Sequence, residues 1–229
     1  MIHAHCYLKM LSVGPIKMAL DSGLPFAITV HDYGLACPSR IFYHQRQEAI
    51  CHRKPMGLAC MTTNCMDQSY VMKVGRIVRF SVQTHVAKIA KRLKNVVFVS
   101  QFSGDIVAPY LNSNCRQTVI DNPVDPQRAP RVEAETHERF LYVGRLVNEK
   151  APVLLAKAAK LANVPVTFVG EGPERDKVMA ANPNAEITGW VTPEQVHARY
   201  RSARAFVIPS IWYECSPLVT VEALSHGLP

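Results

Sequence analysis

The 229-residue sequence predicts an α/β protein with two lobes, each built on a parallel sheet. Two observations carry that expectation. From Phe140 onward, short apolar runs alternate with helix-like segments: "FLYVG" then "APVLLAKAAKLA", "VTFVG" then "PERDKVMAA", "AEITGW" then "TPEQVHARYRSA", "AFVIP" then "PLVTVEAL". Parallel strands need crossovers of this kind, and strands covered on both faces read as nearly continuous apolar runs. The first half uses the same alphabet less regularly, with strands expected at "FAITVHD" and "NVVFVSQ" and a long basic helix from about Ser69 to Leu93.

Residues 1–126 are read as the first lobe, with a cysteine-rich loop over 37–65, and residues 139–229 as the second. Between them, 127–138 reads as a linker, because "PQRAPRVEAETHER" is polar, holds two prolines and has no apolar run. In the second lobe the helix starts are marked: Thr192-Pro193-Glu194-Gln195 fits a capping box with proline at the first helical position, and Ser216-Pro217 repeats the cap-then-proline device. Only two or three strands are expected in the first lobe. Both lobes are therefore read as incomplete, and the chain as a fragment with little turnover.

No run approaches the roughly 18 apolar residues of a membrane helix, and the first twenty residues lack the features of a signal peptide. The expected compartment is the cytoplasm, with thiols reduced. Net charge is +8, and the first half carries it: residues 1–125 hold 14 Lys+Arg against 7 Asp+Glu, whereas 126–229 hold 12 against 11. Lys73, Arg76, Arg79, Lys88, Lys91, Arg92 and Lys94 all fall between Asp67 and Asp105, where there is no acid. That stretch reads either as a solvated helix face or as a surface for an anionic membrane, nucleic acid or substrate.

Two clusters at the carboxyl ends of second-lobe strands carry residues suited to sugar hydroxyls and phosphate. In "WYECSPLVTVEAL", Glu214 is expected in the loop after a strand, Ser216 as the cap of the next helix and Glu222 inside it. With Pro217 at the first helical position, the amides of Leu218 and Val219 would face the loop and seat phosphate or sugar oxygens. The two carboxylates are acceptors only, which suits polyol hydroxyls. In "YVGRLVNEK", Arg145 at a strand tip and Lys150 near the next helix are two fixed cations able to neutralise a diphosphate without a metal. Each cluster alone is also compatible with an ordinary surface.

Together, in order, Gly144-Arg145-Leu146 with Lys150, Val169-Gly170-Glu171-Gly172-Pro173, Ile187-Thr188-Gly189-Trp190-Val191, Pro209-Ser210 and Glu214 through Glu222 resemble the GT-B fold glycosyltransferases of family 4. "HAHCYLKMLS", "GLPFAITVHDYGLACP", "VVFVSQFSGDIV" and "VIDNPVD" are similar to that family's amino-terminal lobe. The resemblance implies a retaining transfer of a sugar from a nucleotide-diphosphate sugar, with no cofactor required for catalysis, and the basic first lobe points to a glycan or lipid-linked acceptor. The resemblance also implies that Arg145 and Lys150 stabilise the leaving diphosphate, Glu214 holds the donor sugar and Glu222 the ribose. Gly170 and the backbone around Ser216, Pro217 and Leu218 support sugar or phosphate, Trp190 and Val191 lie near the base, and His31 faces the reacting sugar. Membrane contact is expected through 69–94, at the inner face, and no nucleic acid is expected. The sequence departs from the family in lacking a glycine-rich loop near its start, and in Ala151 and Cys215-Ser216 where glycines are usual.

Cys37, Cys51, Cys60 and Cys65 fall within 29 positions. They read either as zinc ligands pinning a long loop or as free thiols. Cys6, Cys115 and Cys215 read as packing residues. The competing readings are a non-catalytic metal- and nucleic-acid-binding module, and a degenerate fragment that binds a nucleotide sugar without turnover.

Overall fold

A computed structural model describes residues 1–5, 12–124 and 131–229. Cys6 and residues 127–130 of the expected linker lie outside the described residues. The chain divides into two compact units, residues 1–122 with 212–216, and residues 123–211 with 217–229.

Unit 1 carries a four-stranded parallel sheet: β1 (Ile2–His5), β2 (Phe26–Val30), β5 (Asn95–Phe98) and β6 (Arg116–Val119), in that spatial order. Sequence reasoning expected two or three strands. The outer two escaped because they are not apolar: β1 reads Ile-His-Ala-His, and every residue of β6 is solvent-exposed. Such polar edges blunt further strand pairing. Crossovers are α1 (Gly14–Asp21), the loop and helices between β2 and β5, and α5 (Gln101–Val107). Within the longest crossover lie the two-residue strands β3 (Tyr43–His44) and β4 (Ala49–Ile50), paired antiparallel, the short α2 (Leu58–Thr62), α3 (Tyr70–Ser81) and α4 (Ile89–Arg92). Ile16, Ile28, Val30, Ile89, Leu93, Val96, Phe98 and Val107 form the core on which these pieces pack.

The expected helix over 69–93 is not one rod. It runs as α3, loosens into a π-turn over Val82–Val86 and breaks at Lys88, a left-handed residue with φ 50°, before α4. Nor is it a uniformly basic face, because Lys73 is only 1% exposed and Arg76 is half-buried. An i, i+4 row of apolar side chains, Tyr70, Val74, Val78, Val82 and Val86, faces solvent instead.

Unit 2 holds β7 (Phe140–Val143), β8 (Val166–Val169), β9 (Glu186–Gly189) and β10 (Ala205–Phe206), parallel throughout and ordered β10-β7-β8-β9. The helices are α6 (Pro152–Ala162), α7 (Arg175–Ala181), α8 (Pro193–Arg201) and α9 (Leu218–Ser225). Because side chains alternate along a strand, neighbouring residues serve opposite faces. Tyr142 and Phe168 pack with Leu155, Ala159 and Val178, while Leu141 and Val169 pack with Tyr200, Ala203 and Ala223. Thr192 and Gln195 make the expected capping box at α8. Residues 131–138, read as the second part of a polar linker, are instead built into this unit: Val132 and Ala134 are buried against the second face, and Val132 N–H donates to the His226 carbonyl at 3.0 Å.

Candidate functional site

Unit 2 presents a cavity of about 240 Å³ where β7, β8 and β9 end. Its walls include Gly144 and Arg145 after β7, Gly170 and Glu171 after β8, Trp190 and Val191 after β9, and Val219 from the first turn of α9. Open parallel sheets gather ligands at this carboxyl edge, since the loops there leave the sheet toward the same side. Val143, Val169 and Val196 supply an apolar floor. Trp190 is 82% exposed, a large flat ring at the rim.

Glycine shapes this edge. Gly170 has φ 138°, and a Cβ there would collide with the Gly144 carbonyl oxygen. The loops after β7 and β8 are joined by Leu146 N–H to the Glu171 carbonyl at 2.8 Å and Glu174 N–H to the Leu146 carbonyl at 3.0 Å. This stitching holds Gly144, Arg145, Gly170 and Glu171 along one wall. Tyr142 Oη adds a bond to the Arg145 carbonyl at 2.7 Å, and the Arg145 guanidinium lies 3.9 Å from Glu149. Glu149 is buried and its carbonyl accepts from Ile211 N–H at 3.1 Å. Arg145 thus projects from a braced backbone with its cation at the surface.

Of the residues singled out from sequence, Arg145, Gly170, Trp190 and Val191 meet in this cavity. Lys150 does not line it; it ends a 3-10 turn over Asn148–Lys150 and is half-buried. The following Ala151 takes the left-handed conformation, φ 49°, that suits the glycine usual in the family. Glu222 is held on the inner side of α9, where the buried Tyr200 hydroxyl lies 3.4 Å from its carboxylate and 3.1 Å from the Val219 carbonyl. Burial, and then Glu222, push the Tyr200 hydroxyl well above its usual range, so it stays a hydrogen-bond donor. Glu171 joins the cavity wall as well, and its sequence signal is a carboxylate set between two glycines just past a strand.

One expectation fails at α9. Ser216 is not its cap, for the helix begins at Leu218 with Pro217 in the capping position and no side chain bonded there. Pro217 has no N–H and its extended backbone, φ −76° and ψ 103°, starts the helix one residue later than the cap-then-proline pattern implies. Leu218 and Val219 still supply first-turn amides, which have no intrahelical partner.

Unit 1 holds the remaining candidates. His31 follows β2, its Nε2 3.0 Å from His5 Nδ1, while the preceding Thr29 hydroxyl pairs with His3 Nε2 at 2.8 Å. Burial and the neighbouring His5 lower the His31 pKa, against the pull of Asp32. Asp32 pairs with Arg40 and accepts the Gly34 N–H at 2.8 Å. Trp212–Ser216 also belong to unit 1: Tyr213 packs against Phe102, Tyr33 and Phe42, with ring centroids 5.4 to 6.5 Å apart, and Ser100 Oγ donates to the Cys215 carbonyl. Glu214 accepts the indole N–H of Trp212 at 2.9 Å. Cys115 and Cys215 are buried in the unit 1 core. Cys37, Cys51, Cys60 and Cys65 are unbridged and line a second, much smaller cavity.

Residues 137–229 match the family described as Glycosyl transferases group 1. Among characterised proteins, the sequence is 28% identical over 134 residues to a lipopolysaccharide 1,2-N-acetylglucosaminetransferase of Salmonella typhimurium, and 32% identical over 114 residues to a GDP-mannose-dependent alpha-mannosyltransferase of Corynebacterium glutamicum. The matches cover 51% and 50% of this chain, but 35% and 26% of those proteins. Among solved structures, a sucrose-phosphate synthase from Thermosynechococcus elongatus is similar over 100% of this chain and 54% of its own, with TM-score 0.66 and 16% identity. The Anabaena protein HepE, solved with UDP, is similar over 95% of this chain and 57% of its own, with TM-score 0.59 and 15% identity. These neighbours share the GT-B glycosyltransferase fold, and the present chain has that fold. The comparisons do not favour a nucleic-acid-binding module.

Proposed function

We propose, taking the group 1 glycosyltransferase likeness of residues 137–229 as the premise, that the chain is part of a sugar transferase whose unit 2 binds a nucleotide-diphosphate sugar. The supporting observation is the cavity at the ends of β7, β8 and β9, with a cation on one wall and an aromatic rim. Its apolar floor and Trp190 suit a nucleobase. The Arg145 guanidinium suits a diphosphate, which it can grip with two parallel hydrogen bonds. Glu222, oriented by Tyr200, is the ribose ligand in this reading, and Lys150 a second cation for the diphosphate.

In the reaction, the anomeric bond breaks while charge builds on the departing diphosphate. A cation already in place stabilises that charge without reorganising, so Arg145, on the cavity wall, is assigned to the leaving group. Lys150, which does not line the cavity, is assigned a second contact to the diphosphate that forms with the donor bound. Glu214 is assigned to donor sugar hydroxyls, and His31, kept neutral by its surroundings, to a contact with the reacting sugar. The transfer is read as retaining, and the acceptor as a glycan or a lipid-linked glycan, in keeping with the lipopolysaccharide enzyme among the relatives.

Thermal unfolding with UDP, GDP and ADP tests the donor reading. A nucleoside diphosphate present at about 100 times its dissociation constant stabilises the folded state by about 2.7 kcal/mol. The expected result is a rise in Tm with one of the three and loss of most of that rise in Arg145→Ala. A well-folded protein indifferent to all three would refute it.

A further inference from the structure

We propose that Cys37, Cys51, Cys60 and Cys65 form a zinc site that pins the loop between β2 and α3, with Lys73 as the cation that balances its charge. The proposal is independent of the donor reading.

Convergence is the first ground. The four cysteines come from separate pieces of chain: the turn after β2, the end of the β3–β4 hairpin, α2, and the segment before α3. All four nevertheless line one cavity of about 10 Å³, space for a single atom-sized guest. Zinc with four thiolates is a common structural site, and it needs no open coordination position.

Charge is the second. Lys73 also lines that cavity; it is 1% exposed, and its ammonium donates to Cys65 Sγ at 2.9 Å. Ser39 Oγ lies 3.2 Å from the same sulfur, and Arg53 Nη1 lies 3.8 Å from Cys51 Sγ. No carboxylate is among the lining residues. A buried ammonium facing neutral thiols would bear its desolvation cost uncompensated. Zn²⁺ with four thiolates carries a net charge of minus two, which Lys73 and Arg53 match in number and sign. Each thiol gives up its proton to water as it ligates, and no oxidant or reductant is involved.

The third ground is what else holds the loop. Tyr33, Leu35, Ala36, Cys37 and Phe42 tie the first part of the loop to the unit 1 core, whereas Cys60, Cys65 and Met66 are buried outside all three apolar clusters. A metal would cross-link that second part to the first. As the side chains stand, no three His, Cys, Asp or Glu groups among the described residues are close enough to hold an ion. The thiols must therefore turn toward one another on binding.

The test is metal analysis of the purified chain by mass spectrometry, with thiol titration before and after a strong chelator. The expected result is close to one zinc per chain and release of four protected thiols by the chelator. Cobalt exchanged into the site should give the charge-transfer bands of tetrahedral thiolate. Lys73→Met should weaken zinc retention about 10-fold or more, the usual effect of losing a group that supports the ligands. Background zinc with no cobalt bands, or disulfides among these cysteines in freshly purified protein, would overturn the proposal. If Lys73→Met fails to fold, cobalt titration of the parent protein still decides.

Discussion

Gly170 shows how a single side chain, or its absence, fixes the candidate donor site. Its backbone, φ 138°, is one that L-residues rarely adopt, and the Gly144 carbonyl occupies the place of a Cβ. Both loops must move apart to admit a methyl group, which separates Arg145 from Glu171 along the shared wall. Gly170→Ala is expected to cost about 3 kcal/mol, from overpacking added to backbone strain. Gly23 makes the control, since its φ is 72° but nothing lies within 4 Å of an added Cβ. Gly23→Ala should cost only about 1 kcal/mol. Chemical denaturation of the two variants checks the difference; equal losses would show that the close approach of the two loops is not what demands glycine at 170.

At the level of elements, the regular βα alternation of the second half is legible because its central strands β7 and β8 are buried on both faces and α8 shows its own start. The capping box at Thr192 was read correctly from four residues. Elements whose formation depends on distant partners were not legible. β1 and β6 carry no apolar signal and exist because β2 and β5 offer them edges. Lys73 and Arg76 read as surface charges by type, yet the fold turns Lys73 inward onto Cys65. α3 and the π-turn after it carry the exposed row of Tyr70, Val74, Val78, Val82 and Val86, flanked at the far end by exposed Lys88, Lys91 and Lys94. Apolar side chains with cations nearby are the composition of a surface that would meet an anionic bilayer, with valines toward the acyl boundary and lysines toward headgroups. We therefore expect binding to vesicles rich in anionic lipid and little to neutral ones. Val78→Glu, on an exposed position, should reduce that binding about 10-fold, the equivalent of one valine's burial. Co-sedimentation measures it, and unchanged binding would remove α3 as the contact.

Over the whole molecule, the cavity was legible because the residues that line it lie within unit 2. Arg145, Gly170, Trp190 and Val191 sit at successive strand ends, so periodicity alone brings them to one edge. Glu214 was harder, because aromatic packing of Tyr213 assigns its segment to unit 1, and no local pattern announces that.

Histidine burial is a second property of the whole chain that composition hides, and it governs how stability responds to acid. His31 and His44 in unit 1 and His226 in unit 2 all have pKa values lowered, burial being the largest cause in each; His5, Arg53 and His197 respectively add to it. His226 is 1% exposed, with Nε2 2.9 Å from His197 Nδ1. For each, the folded-state pKa lies below the unfolded value near 6.5, so at lower pH the unfolded chain holds more protons than the folded one. The stability these groups contribute is complete above pH 6.5 and is lost as pH falls through their folded-state values. Tm is accordingly expected to be flat from about pH 8 to about pH 6.5 and to decline below it, before carboxylates begin to titrate. His226→Gln removes one of the three groups and should make the decline shallower while lowering Tm at neutral pH, because Gln cannot take up the proton that disrupts the buried pair. A decline as steep in the variant as in the parent would assign acid sensitivity to groups other than this histidine.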